Sequence, residues 1–130
     1  MSEKFLHRQD APFGEKVWQK IDKAVVSAAK STLSGRRLIP VEGPYGLGLK
    51  NVPTGDYPVD EQAAGNTEMT ASCITPLTMI KSEFSLPARD IAAFEQYEMP
   101  LDLQQASAAA MECARREDQL IFYGSKNMAG

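Results

Sequence analysis

The stretch that decides the fold is EKVWQKIDKAVVSAAKSTLS, residues 15–34. Its lysines lie on one side, and its apolar residues recur at steps of three and four on the other. This spacing predicts an amphipathic helix from Glu15 to Ser34. Gly35 is expected to end the helix in a left-handed conformation. The apolar stripe consists of Val17, Trp18, Ile21, Ala24, Val25, Ala28 and Leu33.

Two more helices are predicted in the last third of the chain. Pro87 opens a short one, in which Ile91 and Phe94 face inward. Asp102 is expected to cap the next helix, with Gln105 completing a capping box. Gly124 ends that helix. Its inner face is mostly alanine, so neighbouring elements can approach closely; the face consists of Leu103, Ala106, Ala110, Cys113, Ala114, Glu117 and Ile121.

The sequence pattern in the middle of the chain predicts extended structure. Residues 47–53 alternate in polarity until Pro53, which is expected to break the strand. The polar segment 54–66 predicts a long loop or hairpin tip, and segment 67–86 predicts one or two long strands that are only half apolar. Such strands suit an arm that pairs outside its own core. With an extended N-terminal arm over residues 1–12, the prediction is an α+β fold.

The amino-acid composition argues against several classes of function, on the grounds of charge and of the length of apolar runs. The chain has 130 residues, 43% hydrophobic and 24% charged, with a formal net charge of −3, which predicts one domain at most. Its basic residues are scattered, so nucleic acid is not an expected partner. No run approaches the roughly 18 apolar residues of a membrane span, and charges interrupt the N-terminus where a signal peptide would be apolar. A cytoplasmic protein without a membrane partner is expected.

A search for reactive groups finds no catalytic, cofactor or metal site. Cys73 and Cys113 are too few for a disulfide scaffold and are interpreted as small buried thiols. His7 is the single histidine, and the sequence contains no nucleophile motif with which it could form a catalytic triad. The carboxylate pair Asp60-Glu61 lies in a polar loop, and Glu117-Asp118 fits an ion-pair network better than acid–base chemistry. The sequence therefore predicts a protein that is not an enzyme and binds no cofactor.

Several motifs, in order along the chain, resemble the encapsulins, also called the linocin-like bacteriocin family. They cover nearly all of the chain and are Phe5-Leu6 with Arg8 and Ala11-Pro12; Trp18 with Ile21-Asp22; Gly35-Arg36-Arg37; Val41 to Gly46; Phe84 with Leu86; Leu101-Asp102; and Glu117-Asp118 with Leu120 to Gly124. The segments 99–102 and 117–124 look closest to the iron-storing type.

The resemblance implies the fold of tailed-phage major capsid proteins and a structural role. Such a protein assembles with itself into an icosahedral homo-oligomer, an encapsulin nanocompartment that encloses a cargo enzyme. The cargo would be an iron-storage ferritin-like protein or a peroxidase, captured through a targeting peptide. In that scheme residues 1–12 are an N-terminal arm, 13–36 an interior-facing helix, 37–86 extended-loop strands, and 87–130 the first part of the peripheral domain with its spine helix.

The candidate cargo-peptide groove lies along the first helix and just beyond it. It consists of Trp18, Val25, Ala28, Ala29, Leu33 and Arg36. Small side chains would leave a trough for aliphatic residues of the peptide, and Arg36 could bind its polar or carboxylate groups. The alternative is that the whole stripe is buried against the rest of the subunit.

Members of the resembling family usually continue for about as long again, into an axial domain. A further chain or segment is therefore expected to supply a C-terminal half. Some relatives have an acidic residue where Pro40 stands and an aromatic one near Arg89, so neither cargo contacts nor a flavin-like ligand are carried over to these two positions. Two other functions stay open: a tailed-phage-type capsid subunit, and a small helical binding module.

Overall fold

The computed structural model describes residues 6–59 and 65–126. Asp60-Glu61, the first five residues and the last four lie outside the described residues. The described part divides into two compact units, one formed by Gly43–Met79 and the other by residues 6–42 and 80–126. Helices dominate one unit and a small sheet forms the other, so the α+β class is confirmed.

The helical unit contains two long helices and two short ones. Helix α1 spans Glu15–Thr32, α2 Gly35–Leu38, α3 Ala88–Tyr97 and α4 Gln104–Tyr123. The two long helices, α1 and α4, make the most extensive contact between helices in the unit. The predicted helices are therefore present, although α1 ends two residues before Ser34.

A small core holds the helical unit together. Val17 and Ile21 of α1 are buried against Ile91 of α3. On α4 the buried residues are Ala106, Ala110 and Ala114, which repeat every four residues and form one face. An alanine face brings a neighbouring backbone close, but it buries little apolar area for each residue. The predicted inward orientations of Ile91 and of the α4 alanines are confirmed.

Gly35 has a different role from the predicted one. It does not end α1 in a left-handed conformation; Leu33, in an extended conformation, follows the last residue of α1, and Gly35 begins α2. A Cβ atom on Gly35 would lie 2.7 Å from Cδ1 of Ile121, closer than carbon atoms pack. A larger residue here would force the Ile121 side chain to shift, so glycine allows α4 to pass this close.

The predicted capping box of α4 is also wrong. Leu103 occupies the N-cap position, with no capping side-chain hydrogen bond. Asp102 lies one residue earlier, and its Oδ1 accepts a hydrogen bond from the backbone N–H of Gln104 at 3.0 Å. The side chain of Gln105 turns elsewhere, and its Oε1 accepts from the backbone N–H of Ser85 at 3.4 Å. That contact ties the extended segment before α3 to the start of α4.

The other unit is an antiparallel hairpin. Strand β1 spans Asn51–Pro58 and β2 spans Thr70–Pro76, and their register runs from Asn51 opposite Pro76 to Pro58 opposite Thr70, with an irregularity between Pro53 and Gly55. Only β2 lies in segment 67–86, and it is shorter than the predicted strand, whereas β1 continues to Pro58 through part of the predicted loop 54–66. Pro53 does not break β1, because it occupies a position that makes no hydrogen bond to β2.

The N-terminal segment folds against α1, and its described part is not extended as predicted. Arg8–Asp10 form one turn of 3-10 helix. The Arg8 guanidinium donates two hydrogen bonds to the Asp22 carboxylate, each of 2.8 Å, and lies 4.7 Å from the centroid of the Trp18 ring. The Trp18 indole N–H donates to the Arg8 carbonyl at 3.2 Å, so Trp18 anchors this segment.

Candidate functional site

An open cavity of about 320 Å³ lies within the helical unit. Three parts of the chain form its walls: α1, α4 and the extended segment that precedes α3. Its volume is near the lower end of the roughly 300–1,000 Å³ typical of ligand pockets. The lining residues are Val25, Ala29, Leu33, Arg36, Ile80, Ser82, Phe84, Ala106, Ala109, Ala110, Cys113, Ala114 and Glu117.

The shape of the cavity follows from the spacing of small side chains on the two long helices. Val25, Ala29 and Leu33 are four residues apart, so they lie along one face of α1 and of the turn after it. The α4 residues on the opposite wall are four alanines and Cys113. Because alanine leaves space that a larger side chain would fill, the helices pack closely while a trough stays open between them.

One end of the cavity is charged. Nε of Arg36 donates to the Glu117 carboxylate at 3.0 Å, and Nη2 donates to it at 2.7 Å. These hydrogen bonds raise the pKa of the Arg36 guanidinium above its already high value, against the opposing effect of burial. The Arg36 guanidinium is therefore protonated throughout the physiological pH range.

A second carboxylate, next to Glu117 in the sequence, binds the backbone just before Arg36. The Asp118 carboxylate accepts hydrogen bonds from the backbone N–H of Ser34 at 3.0 Å and of Gly35 at 2.9 Å. The first N–H groups of a helix lack partners within the helix, and here the start of α2 finds one on α4. The Glu117-Asp118 pair is thus structural, as predicted, although Glu117 pairs with Arg36 and not with its sequence neighbours.

Removing the Asp118 carboxylate should cost about 1–2 kcal/mol of stability, since two backbone donors, one of them on a buried glycine, lose a charged acceptor. Asp118→Ala should therefore lower the denaturation midpoint followed by circular dichroism. Asp118→Asn, which keeps one acceptor oxygen, should lose less. Glu112→Ala, at an exposed position of the same helix, is the control. An unchanged midpoint for Asp118→Ala would show that these bonds contribute nothing to stability.

The structure brings together four of the six residues predicted to form a groove. Val25, Ala29, Leu33 and Arg36 line the cavity. Ala28 is half-buried beside it, and its carbonyl accepts hydrogen bonds from the hydroxyls of the next turn. Trp18 lies outside the cavity, packed against Phe13 with 4.9 Å between ring centroids. Arg36 is engaged by Glu117, so an incoming carboxylate would have to compete for it.

Sequence reasoning missed the opposite wall of the cavity. The α4 alanines were predicted as a packing face, but Ala109 and Cys113 also line the open space. Ile80, Ser82 and Phe84 contribute from a segment predicted to be a strand. The alternation of Ile80, Ser82 and Phe84 was the available signal, since residues two apart in an extended chain share a face.

Other kinds of site are not evident in the described ranges. Among residues 6–59 and 65–126, no group of three or more His, Cys, Asp or Glu side chains has a metal-binding arrangement. Within the same ranges, none of the helices has both the length and the apolarity to cross a bilayer. Both cysteines are half-buried free thiols, which is less buried than predicted.

Comparison with known families decides which class of protein carries this cavity. The family model Linocin_M18, described as "Encapsulating protein for peroxidase", matches residues 3–130. The chain belongs to the encapsulin family. The match covers both the helices that form the cavity and the hairpin, so the predicted family relationship is confirmed.

Individual encapsulins are about 30% identical to the chain over the part of their sequence that aligns with it. A type 1 encapsulin shell protein of Myxococcus xanthus is 33% identical over 95% of the chain and 46% of its own length. A diheme-cytochrome-encapsulin shell fusion protein of Kuenenia stuttgartiensis is 31% identical over 85% of the chain and 33% of its own length. A type 1 encapsulin shell protein of Rhodococcus erythropolis is 29% identical, over 92% and 45%. The chain spans less than half the length of each of these encapsulins.

Proposed function

We propose that this encapsulin-family chain forms part of a structural shell subunit, which assembles with copies of itself into a closed icosahedral compartment around a cargo protein. Its role is structural, not catalytic. The observation that carries the cargo part of the proposal is the open apolar cavity between α1 and α4. An open, largely apolar trough of this volume is typical of a ligand-binding site, so it favours an external ligand.

The cavity suits a short peptide better than a folded partner. Its volume accommodates a few side chains, and its walls are mostly apolar, apart from Ser82 and the Arg36–Glu117 end. Each aliphatic side chain buried there would contribute roughly 1.5–3 kcal/mol before ordering costs. Two or three of them give micromolar affinity, which many sites within one shell would multiply. We therefore assign the cavity to a targeting peptide of the cargo.

The hairpin supports the assembly part of the proposal. Every residue of β1 is exposed, and a two-stranded hairpin is marginally stable by itself in water. Several large apolar residues on the unit are exposed, which is typical of a surface that binds other proteins. They are Tyr45, Leu47, Leu49, Val52, Tyr57, Val59, Met69, Ile74, Leu77 and Met79. The hairpin would be the extended loop that reaches onto neighbouring subunits.

The remaining elements have matching assignments. We place α1 on the inner surface of the shell, where a cargo peptide could reach the cavity, and α4 as the spine helix of the peripheral domain. Further sequence, on the same chain or a separate one, would supply the remainder of the length found in the relatives, including an axial domain. The compartment would lie in the cytoplasm.

The proposed cargo is a ferritin-like iron-storage protein or a peroxidase. The matched family is described as encapsulating a peroxidase, whereas segments 99–102 and 117–124 resemble the iron-storing type. The two cargoes can be separated directly, since only the first would fill the purified particles with stored non-haem iron, whereas a peroxidase would carry at most haem iron. Mass spectrometry of every chain in the particles would identify the protein itself.

Neither alternative function gains support. A tailed-phage-type capsid packages DNA, for which a net charge of −3 is a poor fit. A small helical binding module does not explain a family match over residues 3–130, nor a hairpin without a buried face.

Assembly is tested by particle size. The chain should be expressed together with the sequence that completes a family-length subunit, purified, and examined by size-exclusion chromatography and electron microscopy. We expect closed hollow particles on the megadalton scale. A monomer or dimer under these conditions would contradict the shell function.

A further inference from the structure

A row of lysines follows the side of α1 that faces away from the cavity. It consists of Lys16, Lys20, Lys23 and Lys30, all of them exposed. Their spacing of four, three and seven residues places them within about 80° of one another around the helix axis, and the row extends over about 21 Å. We call this side of α1 the lysine face. The net charge of −3 therefore hides a continuous basic surface.

Arg37 extends the lysine face beyond the end of α1. Its Nη2 donates a hydrogen bond to the Lys30 carbonyl at 2.8 Å, which holds the guanidinium beside the last turn of the helix. A guanidinium has five N–H donors, so this single hydrogen bond leaves most of them open to a ligand. The row of lysines therefore ends in a cation of a second kind.

The charges of the lysine face are not neutralised by the described part of the chain. Among residues 6–59 and 65–126, no carboxylate lies within ion-pair distance of the four lysines. Asp22, which lies on the flank of α1, is already paired with Arg8. Lys20 lies 5.5 Å from the centroid of the Phe94 ring, a contact that leaves its charge in place.

Acidic residues gather at the N-terminal end of the face. Glu15, Glu95 and Glu98 line one depression there together with Lys16. At physiological ionic strength, interactions between exposed charges are screened over about 8 Å, whereas Lys30 lies about 21 Å from Lys16 along the helix. The positive potential is therefore greatest towards the C-terminal end of α1.

The side chains around the lysines indicate which anion fits. Protein interfaces are centred on apolar or aromatic anchors and are depleted in lysine, and single-stranded nucleic acid is bound by stacking its bases on aromatic rings. The residue between Lys23 and Lys30 on this face is Ser27, and α1 has no aromatic residue after Trp18. A lysine ammonium binds phosphate as a point charge. The face therefore fits a chain of phosphates without bases.

We propose that the lysine face, together with Arg37, binds inorganic polyphosphate. The cations form a straight row because they follow one helix, so a flexible polyanion can lie along α1 and contact each of them in turn. Such binding releases counterions and weakens steeply with salt. The interaction does not depend on the shell function. With α1 on the inner surface of a shell, as proposed above, the polyphosphate would be held inside the compartment.

Two aspartate substitutions form a matched pair. Ser27→Asp places a carboxylate between Lys23 and Lys30, whereas Ala29→Asp adds the same charge on the cavity side of α1, roughly 160° away around the helix axis. The double variant Lys23→Gln, Lys30→Gln removes two positive charges and keeps residues of good helix propensity. Lys81→Gln, at an exposed position outside α1, is the control for a lost positive charge.

A short, fluorescently labelled inorganic polyphosphate is added to the unassembled protein, and binding is followed by fluorescence polarisation at several salt concentrations. Ser27→Asp and the double glutamine variant should each weaken binding about tenfold. The double variant should also make the plot of log K against log salt shallower by about 0.7 per lysine, as for single-stranded polyanions. Ala29→Asp and Lys81→Gln should change the affinity by less than about threefold, since their charges lie off the face.

Equal affinities of Ser27→Asp and Ala29→Asp, or an unchanged salt dependence of the double variant, would overturn the proposal. So would failure of the unmodified protein to bind polyphosphate, or tighter binding of an oligothymidylate with the same number of phosphates, which would indicate nucleic acid. The double variant decides the case in which an aspartate variant fails to fold. For the proposed cargo site the expectation is reversed, because Ala29 lines the cavity and Ser27 does not. The two sites can therefore fail independently.

Discussion

Replacing Ala29 by aspartate should yield intact shells that contain no cargo. Ala29 lies in the middle of the α1 wall of the cavity, and it is half-buried, so α1 can accept a longer side chain there by filling the trough. A carboxylate at that point would face mostly apolar walls, and Arg36, which also lines the cavity, is already paired with Glu117. Burying it against a peptide would cost several kcal/mol, more than a micromolar peptide can offset.

Cargo loading is measured as the ratio of cargo to shell protein in purified particles. Ser27→Asp adds the same charge two residues away at an exposed position of α1, and it should load normally. Ala28→Asp distinguishes the cavity seen in the structure from the groove predicted from the sequence. Ala28 was predicted to lie in that groove, but it does not line the cavity. Normal loading of Ala29→Asp would place the peptide elsewhere. Failure of Ala29→Asp to form any shell would mean that this face of α1 is core.

Removing the hairpin should abolish assembly and leave the helical unit folded. The N–H of Leu77 reaches the carbonyl of Lys50 at 2.8 Å, so residues 51–76 can be replaced by a short Gly-Ser turn without pulling on the flanking chain. No residue of the α1–α4 packing is lost. The helical circular dichroism signal should therefore persist, while particles disappear from size-exclusion chromatography.

Full-size particles from the shortened protein would contradict a role of the hairpin in assembly. A loss of helical signal would instead show that the helical unit depends on residues 51–76. A control variant keeps both strands and replaces only residues 65 and 66, which lie in the turn before β2. It should assemble normally, because the edges and the exposed apolar side chains stay in place.

Helices were predictable from the sequence because their signal is local. The three- and four-residue spacing around Ile21 and the alanine spacing of α4 fix both helices and their inward faces. The boundaries were less predictable, since they depend on distant contacts. Gly35 looked like a helix stop, but its neighbour Ile121 is 86 positions along the chain, and no local pattern reveals such an approach.

Only the α1 wall of the cavity was predictable from the sequence. A helix periodicity assigns Ala29 and Leu33 to the same face, but it cannot say whether that face meets another helix or open space. Arg36 is the clearest case. It follows a helix with no acidic neighbour in the sequence, so the sequence predicted that it could bind a ligand. In the fold it is paired with Glu117, which is distant in the sequence. The role of Pro53 in β1 was equally unpredictable from the sequence, because it depends on the direction and register of the two strands.

The hydrogen bonds from Ser34 and Gly35 to Asp118 span 83 or 84 positions of the chain. On the ribosome, α1 emerges long before the carboxylate that fixes the backbone behind it. At roughly 5–20 residues per second, several seconds of synthesis separate the two. Throughout that interval one wall of the cavity exists without the other. The cavity with both of its helical walls therefore exists only after α4 has been translated.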